Sequence, residues 1–356
     1  MIWIGLKKFS SDTINTRWKL KWEVTNFKLL GIYFDVDLEK MIKVNYNNKI
    51  QNMKKLISMW KRRYLTPIGK ITVIKSLLLP MFNHLFISLP NPDEDTVKSI
   101  NSLFYNFLWE GPAKIKKSVC VKEYFDGGLK MVNLEAFIKS LKITWIRRLI
   151  ISPGKWSNFA ENYFNLTNIL QFASAYTNLH EVNVTNKFWK DVLKSYEHLV
   201  EINEPTNMEQ LLTTPIFYNT HFKVGNTPVH YKNWYNNGIF LVDDLINANG
   251  KFYTESELKE KFSIKTNFLE YHSLIETIKQ YIKKNKIQID KKDMQRPIIP
   301  LNIQPIIQNK KGTKDFYQIL DKNKEVPTSK KKWQQCYDID ESSWPEIYLS
   351  PLISTN

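Results

Sequence analysis

Trp60-Lys61-Arg62-Arg63-Tyr64-Leu65-Thr66-Pro67-Ile68-Gly69-Lys70-Ile71 is the stretch on which the reading of this chain turns. Upstream of it, Ile42, Tyr46, Ile50, Met53, Ile57 and Trp60 recur at spacings of four, four, three, four and three. That is one apolar face of an amphipathic helix over 39–63. Lys40, Lys43, Lys54, Lys55, Lys61, Arg62 and Arg63 fill much of the rest. Thr66 is placed to cap a second helix, with Pro67 at its first position, where a missing N–H costs nothing. Its apolar line is Ile68, Ile71, Ile74 and Leu78, and the spacing predicts that it stops before Pro80.

Working outward, Asp93, Glu94 and Asp95 suit the positive end of a third helix over 93–109. A loop follows over 110–117, Gly127-Gly128 marks a tight turn, and Asn133 caps a helix over 134–150 along Leu134, Phe137, Leu141, Trp145 and Leu149. In the other direction, Lys28–Phe34 reads as a strand interrupted by Gly31. Met1–Leu6 reads as another, with a turn over Ser10–Thr16 between them. Pro153-Gly154 is a natural boundary. Residues 156–282 are aromatic and nearly neutral, with a helix over Glu255–Phe262 opened by a Thr254/Glu257 capping box. Residues 283–332, rich in Lys, Gln, Asn and Pro, read as a basic linker, largely disordered. The fold class expected is α+β, mostly α.

Charge is concentrated in the first part. The net is +16, and residues 1–150, with 26 Lys/Arg against 12 Asp/Glu, hold +14 of it. Lys40–Pro92 contains ten basic residues and no acidic one, and a field of that kind attracts a polyanion. No apolar run reaches the length of a membrane span, and Met1–Lys8 lacks the apolar core of a secretory signal. Two cysteines, Cys120 and Cys336, are too few for a disulfide framework or a zinc site. An intracellular protein, nuclear or cytoplasmic, is expected, with nucleic acid rather than a membrane as its partner.

Catalytic constellations are not evident. A two-metal site needs grouped carboxylates. Asp35/Asp37 stand at strand spacing without a third acid nearby, Asp93/Asp95 open a helix, Asp243-Asp244 suit a turn or an N-cap, and Asp338/Asp340 fall in what reads as an isolated tail. The six histidines (His84, His180, His198, His221, His230 and His272) show no metal-ligand spacing. What remains is binding chemistry, phosphate neutralisation with stacking, in Met59–Tyr64. Trp60 also lies on the apolar line, where it would simply pack. Arg62 and Arg63 read as phosphate contacts or as solvated charges.

Four blocks carry a resemblance. Phe27-Lys28-Leu29-Leu30-Gly31-Ile32 resembles the primer grip of LINE-type (non-LTR) retrotransposon reverse transcriptases. Trp60–Ile71 resembles their thumb pattern. Phe107-Leu108-Trp109-Glu110-Gly111 and Gly127-Gly128-Leu129-Lys130-Met131-Val132-Asn133 resemble two later blocks, in the same order. Residues 214–282, with Trp234-Tyr235 and the Gly-Lys-Phe turn at 250–252, resemble the region after the thumb. The resemblance implies a trailing palm edge over 1–38, a helical thumb over 39–152, a post-thumb domain over 153–282, the linker over 283–332 and the start of a further segment over 333–356. The family's catalytic aromatic-Ala-Asp-Asp motif is absent from the chain and would lie upstream of Met1. No catalytic or metal-binding residue is therefore expected here, nor a cofactor; the parent enzyme would use Mg2+ at residues this chain lacks. The implied nucleic-acid-binding residues are Phe27, Lys28, Leu30, Gly31, Lys54, Lys55, Lys61, Arg62, Arg63, Lys70 and Lys75. The implied partners are RNA, DNA and their hybrid. Gly31 would allow close approach of the grip strand to the primer backbone, or form a strand bulge. The alternative is a non-catalytic RNA/DNA-binding relic or interaction protein derived from such an element. A peripheral membrane protein with basic amphipathic helices is the third class.

Overall fold

The computed structural model describes residues 26–151, 186–201, 204–219, 221–288, 304–309, 312–321, 330, 334, 336–337 and 339–353. The expected strand Met1–Leu6, the Ser10–Thr16 turn and the Pro153-Gly154 boundary lie outside these. The chain divides into two compact units, 1–138 with 321–356, and 139–320. Most described residues are helical, and both sheets among them are two-stranded and antiparallel.

The first unit opens with a hairpin, β1 (Asn26–Leu29) and β2 (Ile32–Asp35), in register Phe27↔Phe34 and Lys28↔Tyr33. The single strand expected over Lys28–Phe34 is thus two. Leu30 and Gly31 both have positive φ, +48° and +83°, as a tight two-residue turn matched to the strand twist requires. Gly31 is a turn residue, neither bulge nor strand interior. The phenyl rings of Phe27 and Phe34 stack across the pair at 5.3 Å.

Helix α1 (Leu38–Trp60) follows, capped by Asp37, whose carboxylate accepts from the N–H of Glu39 and Lys40. Asp35 accepts from the Asp37 N–H and lies 3.5 Å from Lys40. Both acids are thereby used in building the corner. Asn45 of α1 clamps β2. Its Oδ1 accepts from Tyr33 N–H at 2.9 Å and its Nδ2 donates to Tyr33 O at 2.7 Å. These bonds occupy edge groups that would otherwise need water.

Thr66 caps α2 (Pro67–Val73) through the Gly69 N–H. The helix does not stop before Pro80, as its sequence suggested. Ile74–Leu78 forms a π turn, with Leu79 N–H reaching back to Ile74 O at 2.8 Å, and α3 (Pro80–Ser88) continues from it with a 44° bend. A proline lacks the N–H that an α-turn would use and crowds the carbonyl four residues back; the wider turn absorbs both. Helix α4 (Glu94–Trp109) starts where its acids suggested, and Asp93, expected inside its first turn, is its N-cap, accepting from the Thr96 N–H. Helix α1 packs on α3 and α4, and α2 on α4, around buried Tyr46, Met53, Ile74, Leu78, Phe82, Phe86, Phe104 and Phe107. No single helix among the described residues is long and apolar enough to cross a membrane. The bent pair α2–α3 passes on length and composition alone; Ile71, Val73, Ile74, Leu78, Phe82, Leu85 and Phe86 are buried, and Leu77 is exposed.

After α5 (Lys117–Cys120) the chain folds back on itself. Leu129 and Met131 N–H groups both donate to Cys120 O, and Lys130 N–H to Lys122 O. Gly128 runs so close to Lys122 that a Cβ there would lie 2.1 Å from its carbonyl oxygen. The helix Trp344–Ile353 packs against the 3-10 turn Tyr124–Asp126, with Tyr348 against Gly127. That region belongs to the first unit and is not an isolated tail.

Helix α6 (Leu134–Ile151) is capped by Asn133, as expected. Of its expected apolar line, Leu134, Leu141 and Leu149 are buried and Phe137 and Trp145 half-buried, and the burial extends beyond that line. Ala136, Ile138, Ser140, Leu141, Lys142, Ile143 and Ile146 are all buried, so the helix is covered on more than one side. The division between units falls within it, at 138/139, rather than at 152. In the second unit its later residues pack with the helix Lys187–Glu201. Trp145, Phe188 and Trp189 make edge-on contacts there. Ile307 and Phe316, in helices Gln304–Gln308 and Thr313–Leu320, are fully buried in the same cluster. The segment expected to be linker therefore contributes core. A second cluster gathers Trp234, Phe222, Ile239, Leu245 and Leu258 with the long helix Phe268–Lys284. The capping box at Thr254/Glu257 is present. Buried Asp244 accepts from the N–H groups of Phe240 and Leu241.

Candidate nucleic-acid interface

At 100° per residue, Lys43, Lys54 and Lys61 fall within about 20° of one another around α1, and Lys40 within about 60°. Asn47, Gln51 and Ser58 lie between them, and all seven are exposed. The result is a polar, basic stripe with no carboxylate in it. From Lys40 to Lys61 it runs roughly 31 Å at 1.5 Å per residue, about nine nucleotides of one strand at 3.4 Å each.

The stripe leads into the loop after α1. Lys61, Arg62, Arg63 and Tyr64 are all exposed, Tyr64 completely. The Arg63 guanidinium lies over the Trp60 ring, 4.6 Å from its centroid. Trp60 is half-buried, so it both packs and offers a face. Among the described residues, Lys54, Lys55, Lys61, Arg62 and Arg63 form no ion pair with a carboxylate. Exposed cations without internal partners are available to phosphates.

Two of the expected contacts are placed differently. Lys70 Nζ donates to Glu110 at 2.7 Å, and its side chain is only 12% exposed. It ties α2 to the left-handed C-cap of α4, Glu110 at φ +49°. The hydrogen bond from Lys70 holds the Glu110 carboxyl below its ordinary pKa. Lys75 sits on the π turn. Its residue surface is exposed, yet its ammonium is crowded. Desolvation first, and then the neighbouring Lys130, lower its pKa. Neither is a free cation of the α1 stripe.

The hairpin stands apart from the stripe. Asn45, which holds it, lies about 160–200° around α1 from Lys43, Lys54 and Lys61. At its tip Leu29 and Leu30 are 52% and 85% exposed, Gly31 has open space around it, and Lys28 Nζ lies 5.0 Å from the Tyr33 ring centroid. Phe27 is half-buried against Phe34, which makes it a strut of the hairpin. The sequence placed stacking in Met59–Tyr64, and Tyr64 is the ring of that stretch left fully exposed. Sequence reasoning missed the alignment of Lys43 with Lys54 and Lys61, which the eleven-residue and seven-residue spacings carried.

No known protein-family model matches the chain.

Proposed function

We propose that the chain grips the backbone of a primer–template hybrid, as the thumb and grip region of a LINE-type reverse transcriptase would, and carries none of that polymerase's catalytic carboxylates. The observation that carries this is the α1 stripe with the loop it enters: exposed cations in line, of which only Lys40 has a carboxylate partner, Asp35, among the described residues, ending on Arg63, Trp60 and Tyr64. Such a surface neutralises phosphates along a strand and offers rings for stacking, and it discriminates shape more than sequence. The hairpin tip, with Lys28, Leu30 and Gly31 at its turn, supplies a separate contact where backbone can meet backbone closely. The four sequence blocks resembling that family support the polymerase reading. The geometry supports the grip.

The test is a salt titration of the whole chain on an RNA–DNA hybrid. Five phosphate contacts give a log–log slope of about −4. Replacing Lys54, Lys55, Arg62 and Arg63 by Glu should abolish binding and leave the melting temperature in place. A flat salt dependence, or tighter binding to anionic vesicles than to the hybrid, would refute the grip. Primer extension by this chain with Mg2+ or Mn2+ would refute the absence of catalysis.

A further inference from the structure

The second unit holds a cavity of about 700 Å3, within the usual range of ligand sites. Its walls come from two places. One is the turn Asn247–Lys251, where Asn247 Oδ1 accepts from the N–H groups of Asn249 and Lys251 and Gly250 takes φ +75°. The other is the end of the helix Phe268–Lys284. There Ile287 N–H bonds back to Ile282 O, and Lys286 is held at φ +53°. The rim carries Lys251, Lys279, Lys283 and Lys286; the half-buried Phe252 ring, with the Lys279 ammonium 5.8 Å from its centroid, is the accessible aromatic, and Tyr271 backs the wall from the core, its hydroxyl donating to Tyr253 O. No carboxylate lines it. The nearby acids are engaged elsewhere, Glu255 with Lys259, Glu257 with Thr254 and Glu276 with Gln280. Among the described residues none of the four ammonium groups has an ion-pair partner.

A helix C-terminus attracts cations by itself, which would account for Lys283. It does not account for Lys251, brought from another loop, or for Lys286. A left-handed position at a helix end suits glycine or asparagine, and a lysine held there carries backbone strain. Four cations around an aromatic lining match phosphates flanking a planar base: the ring stacks and the ammonium groups neutralise. A bare phosphate would leave the ring unused.

We propose that this cavity takes one unpaired nucleotide of a single-stranded nucleic acid, its base on Phe252 beside Tyr271 and its flanking phosphates on Lys251, Lys279, Lys283 and Lys286. The site is separate from the α1 stripe and stands or falls independently of it.

The experiment uses the full chain and a short single-stranded RNA hexamer bearing iodouridine, followed by photocrosslinking and peptide mapping. The expected adduct is on the peptide containing Phe252 or Tyr271. It should persist in the charge-reversed α1 variant. The triple change Lys279→Ala, Lys283→Ala and Lys286→Gly should weaken hexamer binding at least about tenfold, with a log–log salt slope shallower by about two. Lys286→Gly alone relieves the left-handed strain, so it should weaken binding without lowering the melting temperature. An abasic hexamer should bind much more weakly than the RNA. Adducts elsewhere, equal binding of the abasic strand, displacement by anionic vesicles in preference to RNA, or indifference to the lysine changes would each overturn the proposal. Loss of the adduct in the α1 variant would overturn it as well, leaving the hybrid grip intact. Hybrid binding insensitive to the α1 variant, with the adduct still on Phe252 or Tyr271, would sink the grip and leave the cavity.

Discussion

At Leu30 the backbone takes a left-handed turn that a leucine resists. A side chain with Cβ costs on the order of 1–2 kcal/mol at such φ, and asparagine is the residue that tolerates it best. Leu30→Asn should therefore raise stability by about 0.5–1 kcal/mol, read as a higher urea midpoint with unchanged slope. The same leucine hid the hairpin from sequence reading. Asn-Gly would have announced a two-residue turn, whereas Leu-Gly inside an apolar run reads as a strand with a flaw. Asn45 is the opposite case, a polar residue beside the apolar line of α1 with nothing in its spacing to mark a role. It satisfies both backbone groups of Tyr33. Asn45→Leu keeps the volume and orphans both, and should cost about 2–4 kcal/mol, measured by denaturant unfolding. For Tyr64 the sequence offered stacking chemistry, but at a helix end no period tells exposure from burial, and the structure leaves the ring fully exposed.

At the scale of elements, the sequence carried most of the first unit. The apolar face of α1, the Thr66 and Asn133 caps and the start of α2 are as spacing and capping chemistry dictate. Pro80 misled because its effect was absorbed by a π turn, a long-range packing outcome: Phe82, Leu85 and Phe86 are drawn into the core, which favours continuing the helix over ending it. Two glycines of the quoted blocks separate in the same way. Gly128 is fixed by the Lys122 carbonyl, and Gly128→Ala should destabilise by more than about 2 kcal/mol. A Cβ on Gly69 would meet only ordinary contacts near 3.5 Å, so Gly69→Ala should stabilise by about 0.5–1 kcal/mol through helix propensity. Thermal melts of the two variants side by side should move in opposite directions.

For the whole molecule, the α+β, mostly α class was legible, but the partition of the chain was not. Composition marks 283–332 as linker because most of it is polar; two residues, Ile307 and Phe316, decide that part of it is core. Charge misled likewise at Lys142. It is fully buried in the second unit, with its ammonium 4.5 Å from the Phe188 ring centroid. Burial lowers its pKa to about 7, opposed by Asp191. Its folded pKa thus lies below its unfolded one, and between about pH 7 and about pH 10 the unfolded chain holds the extra proton. Stability from this group is lowest below about pH 7 and rises with pH across that window. Lys142→Met, similar in length and without the charge, should raise the melting temperature at neutral pH and remove that rise in a series of melts.

The Arg63 guanidinium resting on Trp60 also makes α1 its own optical reporter. A phosphate that takes Arg63 draws the cation away from the indole, and the emission of that ring changes with it. Eleven tryptophans share the spectrum, so the signal is the difference between the chain and its Trp60→Phe counterpart as hybrid is added. Arg63→Lys should shrink that difference while leaving a positive charge in place, because an ammonium does not lie flat on an indole as a guanidinium does. A light signal from one ring then separates nucleic acid seated on this loop from nucleic acid held anywhere else on the chain.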